Sequence, residues 1–324
     1  MRCKIHAKKI GTICILLFVL PVFLNRIAYS GESGIFKPKL SIKLTGGLRY
    51  INVGDINNHI ESFDNYMSSF LSFYEGGKMG KINNYGPDLE GELRLDISSK
   101  FAVGVGIGYI SGKNESNFQT AGDFAPIYQI YIVPPIDLFE FVVESKIETI
   151  PIKLGIYYTI PLGSRINIFL KSGLDYYFSK CFIYKYNEII SIDGTVYPVE
   201  FYEISNKYDM RGNGLGFNGG LGFEYKISNF LALVLEIQRR YAKIKKLKGK
   251  WIYSNTFTLE QGENEGILYI ARKDMEDEGF SDIFYPDLVV SPSKPSGAKI
   301  LNAREATLDL SGFSLKVGIR IKLF

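Results

Sequence analysis

The amino-acid sequence predicts an all-β fold, an eight-stranded antiparallel up-and-down β-barrel. Three observations predict it. Eight segments alternate apolar with polar residues, the connections between them are short and long by turns, and charges and glycines crowd the face that the apolar residues leave free.

The first strand carries Leu40, Ile42, Leu44, Leu48 and Tyr50 on one face. In the second, Leu89, Leu93, Leu95 and Ile97 alternate with Glu90, Glu92, Arg94 and Asp96. The chain turns at Ser98-Ser99-Lys100 and returns through Phe101, Val103, Val105, Ile107 and Tyr109, interleaved with Ala102, Gly104, Gly106 and Gly108. A second hairpin runs Ile150, Ile152, Leu154, Ile156, Tyr158 and Ile160, with Pro151, Lys153, Gly155, Tyr157 and Thr159 between them. It turns at Pro161 to Arg165 and returns through Ile166, Ile168, Leu170, Leu174, Tyr176 and Phe178, opposite Asn167, Lys171, Gly173 and Asp175. A third joins Leu215, Phe217, Leu221, Phe223, Tyr225 and Ile227, through Ser228-Asn229, to Leu231, Leu233, Leu235 and Ile237. The last strand is Phe313, Leu315, Val317, Ile319, Ile321 and Leu323.

The hairpins need only tight turns. The other connections, near residues 51 to 86, 114 to 146, 183 to 213 and 244 to 306, are far longer. Strands of about ten residues, short turns at one end and long loops at the other are the layout of a transmembrane barrel, with short periplasmic turns and long extracellular loops. Alternation alone does not orient the faces, because a soluble lipocalin-like barrel would turn the apolar face inward around a ligand. Glycines settle the choice. On a solvent-facing side Gly104, Gly106, Gly108, Gly216, Gly220 and Gly222 would weaken the strands, whereas inside a narrow tube they make room for long neighbours. The predicted lumen charges are Lys43, Arg49, Glu90, Glu92, Arg94, Asp96, Lys153, Lys171, Asp175, Glu224, Lys226, Glu236, Arg240, Lys316, Arg320 and Lys322. Both signs are present, so they can pair across the tube.

The whole segment from residue 31 onward resembles the small eight-stranded outer-membrane β-barrel families, most closely at Ile150-Pro151-Ile152-Lys153-Leu154-Gly155-Ile156-Tyr157-Tyr158 and in the closing strand. The resemblance implies that Phe324 is the terminal aromatic read by the barrel-assembly machinery during insertion. The apolar residues before it, Val317, Ile319, Ile321 and Leu323, fall one position out of the usual phase, while Lys316 to Leu323 fit a related pattern.

Residues 1 to 30 read as a cleavable signal peptide: Arg2, Lys4, Lys8 and Lys9, an apolar run from Ile10 to Leu24, then Ala28-Tyr29-Ser30. Residues 31 to 324 form the barrel domain. Cleavage would remove five basic residues and no acid, moving the formal charge from +4 to about −1. A near-neutral chain of interspersed charges gives no support for nucleic-acid binding. Cys181 alone would survive processing, so a disulfide within the chain is excluded, and His59 would be the only histidine. No catalytic, cofactor or metal site is therefore expected.

Gly214-Leu215-Gly216-Phe217-Asn218-Gly219 spells a dinucleotide fingerprint, but a strand follows where that fold needs a helix. Ile60, Phe63, Met67, Phe70, Leu71 and Tyr74 recur at helical spacing in the first long connection and predict an amphipathic helix, with His59 as a polar surface residue at its start. Lys243, Lys245 and Lys246 stand above the seventh strand, where lipopolysaccharide phosphates would meet them, and Tyr50, Tyr109, Tyr176, Tyr177, Phe178 and Tyr241 suit an interfacial girdle. The Asp193-Gly194 turn extends the wall above the membrane, and the fourth connection reads as a long, acidic loop.

The function expected is that of a non-enzymatic outer-membrane barrel, monomeric and with a charged, plugged lumen, that presents loops for envelope integrity or surface interaction. Outer-membrane lipids and lipopolysaccharide are its expected partners. Two alternatives stand beside it: passage of small or hydrophobic solutes, and lipid modification using His59.

Overall fold

Strict alternation makes each strand present one chemistry to each side of a sheet, and closing the sheet decides which side is inside. In the computed structural model β1 (Lys39–Ile51) pairs with β2 (Tyr85–Asp96). Antiparallel pairing continues through β3 (Phe101–Thr120), β4 (Ile136–Pro161), β5 (Ile166–Ser191), β6 (Glu200–Lys226) and β7 (Leu231–Ile244) to β13 (Gly312–Lys322), which returns to β1. Eight strands thus form a ring without a free edge. The structure describes residues 38–70, 80–120, 136–191, 200–256, 258–274, 284–297 and 300–323.

Serine side chains shape two of the tight turns. Ser98 Oγ accepts from Phe101 N at 2.9 Å, and Ser228 Oγ accepts from Leu231 N at 3.1 Å, so each turn satisfies its own backbone.

The faces are sorted opposite to those of a soluble protein. Leu154, Ile156 and Leu215 are 55%, 61% and 68% exposed, whereas Lys153 is 2% and Glu236 0% exposed. Charged residues are almost never fully buried unless paired, so apolar-out and charged-in signifies a hydrocarbon surround. No helix among the described residues is long and apolar enough to cross a membrane, so the strands do the crossing.

Beyond the ring the wall keeps rising. β3, β4, β5 and β6 continue past the level of Tyr109 and Tyr176, and β6 changes partner as it climbs. Its Gly216–Lys226 stretch pairs with β7, and its Ile204–Arg211 stretch pairs with β8 (Lys248–Asn255). β9 (Glu260–Asp274) then pairs with β8, with β10 (Phe284–Ser291) and with β11 (Ile300–Glu305), while the short β12 (Leu308–Asp309) lies on β7. Much of the third and fourth long connections is therefore sheet rather than loop. The reason is local: above the membrane the inward positions Cys181, Ile183 and Met210 turn apolar while Lys180 and Tyr184 face outward, so the membrane pattern inverts and ceases to mark a strand. The Asp193-Gly194 turn itself lies outside the described residues.

The amphipathic segment forms α1 (Asp55–Phe70), whose Ile56 and Ile60 are buried against Ile51, Ile82, Ile110, Ile147, Ile244 and Leu308. Fully buried, each such side chain stabilises the fold by about 1.5–3 kcal/mol. The helix is tied down at its start, where Asp55 accepts from Arg304 at 2.6 and 2.7 Å and from Thr307 N at 2.8 Å. Gly54 precedes it with φ 72°, and a Cβ there would lie 2.8 Å from Thr307 O, so no other residue fits without strain.

Candidate functional site within the barrel

The charged side chains on the inner face of the ring are buried and reach one another across it. Six strands contribute to its middle layer: Lys43 from β1, Glu90 and Glu92 from β2, Lys153 from β4, Lys171 from β5, Glu236 from β7 and Lys316 from β13. Glu90 accepts from Lys153 at 2.5 Å, Lys171 at 2.8 Å and Lys316 at 2.5 Å, and lies 3.8 Å from Lys43. Lys43 donates to Glu236 at 2.8 Å, and Lys171 donates to Glu92 at 2.8 Å. The Tyr157 hydroxyl joins two of these groups, donating to Glu92 at 2.5 Å and accepting from Lys43 at 3.0 Å.

The two remaining strands supply space. β3 faces this layer with Gly104, Gly106 and Gly108, which pair with Arg94, Glu92 and Glu90, and β6 faces it with Gly220 and Gly222. A Cβ on Gly104 would stand 2.6 Å from Glu92 Oε1, and one on Gly222 would stand 2.0 Å from the Phe169 ring. The glycines are where the long side chains go.

Nearer the short turns, Arg94 donates to Asp96 and to Thr159, each at 3.0 Å, and stacks its guanidinium 4.6 Å over the Tyr157 ring. Arg320 pairs with Glu224 there, and Asn167 donates to Glu224 at 3.3 Å. Above the middle layer Arg240 pairs with Asp88 and donates to Ser314 at 3.2 Å, while Asp175 accepts from Tyr177 at 2.7 Å and from Asn218 at 2.6 Å. Arg49 reaches the Ser111 and Asn84 carbonyls. Further along the strands Ile51, Ile110, Ile147 and Cys181 face inward and belong to one apolar cluster with Ile56 and Ile60 of α1.

Of the predicted lumen charges, Asp96, Lys226 and Lys322 are half-buried near the turns, and the others are buried inside. Sequence reasoning missed Asp88, although its parity continues that of Glu90 and Glu92. Pro87 and Gly86 obscured the strand there. It also placed Tyr177 in the girdle. That assignment is corrected: Tyr177 shares the parity of Asp175, is 0% exposed and faces the lumen, whereas Tyr109, Tyr176, Phe178 and Tyr241 face outward. His59 is corrected too. It is buried on α1, with Nε2 2.6 Å from Lys185 Nζ, because helical spacing puts it beside Ile56 and Ile60 on the inward side. Gly214 to Gly219 lie within β6 and begin no helix. Lys243, Lys245 and Lys246 are exposed, the first with its ammonium 5.6 Å over the Tyr241 ring. Residues 1–30 and Phe324 lie outside the described residues.

A family model of the outer membrane protein beta-barrel domain matches residues 38–262. No curated protein sequence matches the chain. Among solved structures it is similar to the outer membrane protein OprG from Pseudomonas aeruginosa, at 10% identity and TM-score 0.35, covering 87% of this chain and 95% of that one. A major outer membrane protein from Thermus thermophilus aligns at 12% identity and TM-score 0.36, covering 89% and 100%. The attachment invasion locus protein Ail of Yersinia pestis aligns at 8% identity and TM-score 0.28, covering 88% and 97%.

Proposed function

The chain belongs to the outer membrane protein beta-barrel domain family and sits in an outer membrane, and we propose that it is a non-enzymatic, closed barrel serving as a rigid stalk for its extracellular wall. One observation carries the reading: the middle of the lumen is spanned by buried carboxylates and ammoniums already paired with one another. Eight strands enclose a space only about wide enough for side chains, whereas aqueous porins need about 16. An ion or solute entering would have to break hydrogen bonds between buried charges, and the apolar cluster that includes Ile56 and Ile60 of α1 adds a second barrier. The role proposed is surface interaction or envelope integrity, with the rising wall as the presented surface and the exposed Lys243, Lys245 and Lys246 as its proposed contacts to lipopolysaccharide phosphates.

Planar-bilayer recording tests the closed lumen. The purified barrel should conduct weakly or in rare flickers, and replacing Glu92 and Arg94 together by Gly should raise leakage, since both side chains help fill the narrow space. Large, stable conductance from the unmodified monomer would overturn the closed-barrel reading and put solute passage first. Export through the signal peptide has its own check: N-terminal sequencing of the membrane form should begin at Gly31. An intact Met1 would refute it.

A further inference from the structure

Above the membrane the inner face of the wall stops being apolar and becomes a row of amides and rings. β5, β6, β8 and β9 lie side by side there, and their register sets the side chains in ranks. Lys185, Asn206 and Tyr253 form one cross-strand rank. Tyr208, Trp251 and Asn264 form the next toward the membrane, and Asn187 lies one rank from Lys185 in the other direction along β5. All of these but Tyr253, together with Phe63 of α1 and Asp287 to Val290 of β10, line a cavity of about 330 Å³. That is at the small end of ligand sites, which run from about 300 to 1,000 Å³.

We propose that this cavity binds a neutral saccharide, one or two rings in size, through hydroxyl contacts to the asparagines and stacking on Trp251. The site has the chemistry for it. Asn187 and Asn264 each offer both a donor and an acceptor, as a vicinal diol requires, and Asn206, whose Oδ1 takes the Trp251 indole N–H, offers its amide donors. The Oδ1 of Asn187 is shielded from solvent yet has no hydrogen-bond partner among the described residues, so it is an acceptor suited to a ligand hydroxyl. The Trp251 indole is held in plane by its Nε1 donating to Asn206 Oδ1 at 3.0 Å and by stacking against Tyr253, with ring centroids 5.8 Å apart and 25° between planes. A fixed aromatic face beside polar amides suits a pyranose, which is apolar on one face and hydroxylated at its rim.

Charge argues for a ligand without net charge. The cavity holds one cation, Lys185, and one anion, Asp287. The Lys185 ammonium sits 4.6 Å over the Phe63 ring and 2.6 Å from His59 Nε2, and burial pulls its pKa down to about 8 with Asp287 opposing. With one charge of each sign the lining has no net charge, so it gives neither an anionic nor a cationic sugar an overall attraction.

The inference rests on the extracellular wall of the reading above and not on the closed lumen, so a conducting barrel would leave it standing. The test is titration calorimetry on the full barrel in a detergent without a sugar headgroup, using glucose, galactose, maltose and lactose, with glucuronate and glucosamine as charged controls. At least one neutral sugar should bind in the millimolar range, and Trp251→Ala should weaken it about tenfold or more. Asn187→Leu, similar in volume, should weaken it several-fold, and both variants should retain the heat-dependent gel shift of a folded barrel. Three results would overturn the proposal: no neutral sugar bound by the folded protein, binding indifferent to both substitutions, or tighter binding of either charged sugar.

Discussion

Replacing Glu90 by Ala should be the most damaging single change in the lumen, costing about 3–5 kcal/mol of folding stability. Glu90 accepts from three ammoniums and lies near a fourth, so its removal leaves Lys43, Lys153, Lys171 and Lys316 facing one another with only Glu92 and Glu236 to share. These side chains are at most 2% exposed, and water cannot take the place of the lost carboxylate without opening the tube. The same arithmetic predicts an asymmetry. The middle layer holds four lysines against three glutamates, so losing a lysine moves it toward balance while losing a glutamate moves it away. Lys153→Met should therefore be much milder, because Glu90 keeps its bonds to Lys171 and Lys316. Urea unfolding of detergent-folded protein, followed by gel shift, measures both. Equal losses would mean that the network is solvated and contributes packing rather than charge balance.

The fold was legible because the membrane demands a simple rule, and most of the barrel obeys it. From Leu89 to Ile97 every even position is charged and most odd ones are apolar, so one turn signal at Ser98 is enough to place two strands. Lumen residues followed from the same parity, which is why the charged cluster could be named without coordinates. What the parity could not supply was pairing. Nothing in the spacing of Glu90 says that it meets Lys153, Lys171 and Lys316 rather than Arg94, since that depends on strand stagger around a closed ring.

Legibility failed where the lipid ended. In the Lys248–Asn255 stretch and the first half of Glu260–Asp274 the inward residues are glycines, amides and rings and the outward ones mostly polar or charged, so neither side stands out as apolar, and glycines at 249, 262 and 266 look like loop residues. Gly249 and Gly266 are instead close backbone approaches: a Cβ on the first would lie 1.9 Å from Asp209 O, and one on the second 2.2 Å from Ser291 C. Tyr177 was misplaced for a related reason. Aromatic identity suggested an interface, while parity with Asp175 pointed inward, and parity won because a strand cannot turn one side chain around without a bulge.

On the outer face the largest effect should come from Leu154→Arg. Leu154 is midway along the spanning part of β4, 55% exposed, and flanked in the sheet by Val105 and Leu174, so its side chain meets hydrocarbon on every side that is not protein. The outward neighbours paired with it, Val105 and Leu174, offer an arginine no carboxylate, and near the bilayer midplane a lipid-facing Arg costs about 2–4 kcal/mol. Snorkelling toward either interface would relieve part of that cost, so the loss should shrink when the same substitution is made at Ile160, close to the turn at Pro161. Folding yield into lipid vesicles, scored by the heat-dependent gel shift, should therefore rank unmodified protein first, Ile160→Arg next and Leu154→Arg last. Comparable yields for Leu154→Arg and the unmodified chain would reverse the assigned faces and return the apolar side to a soluble interior.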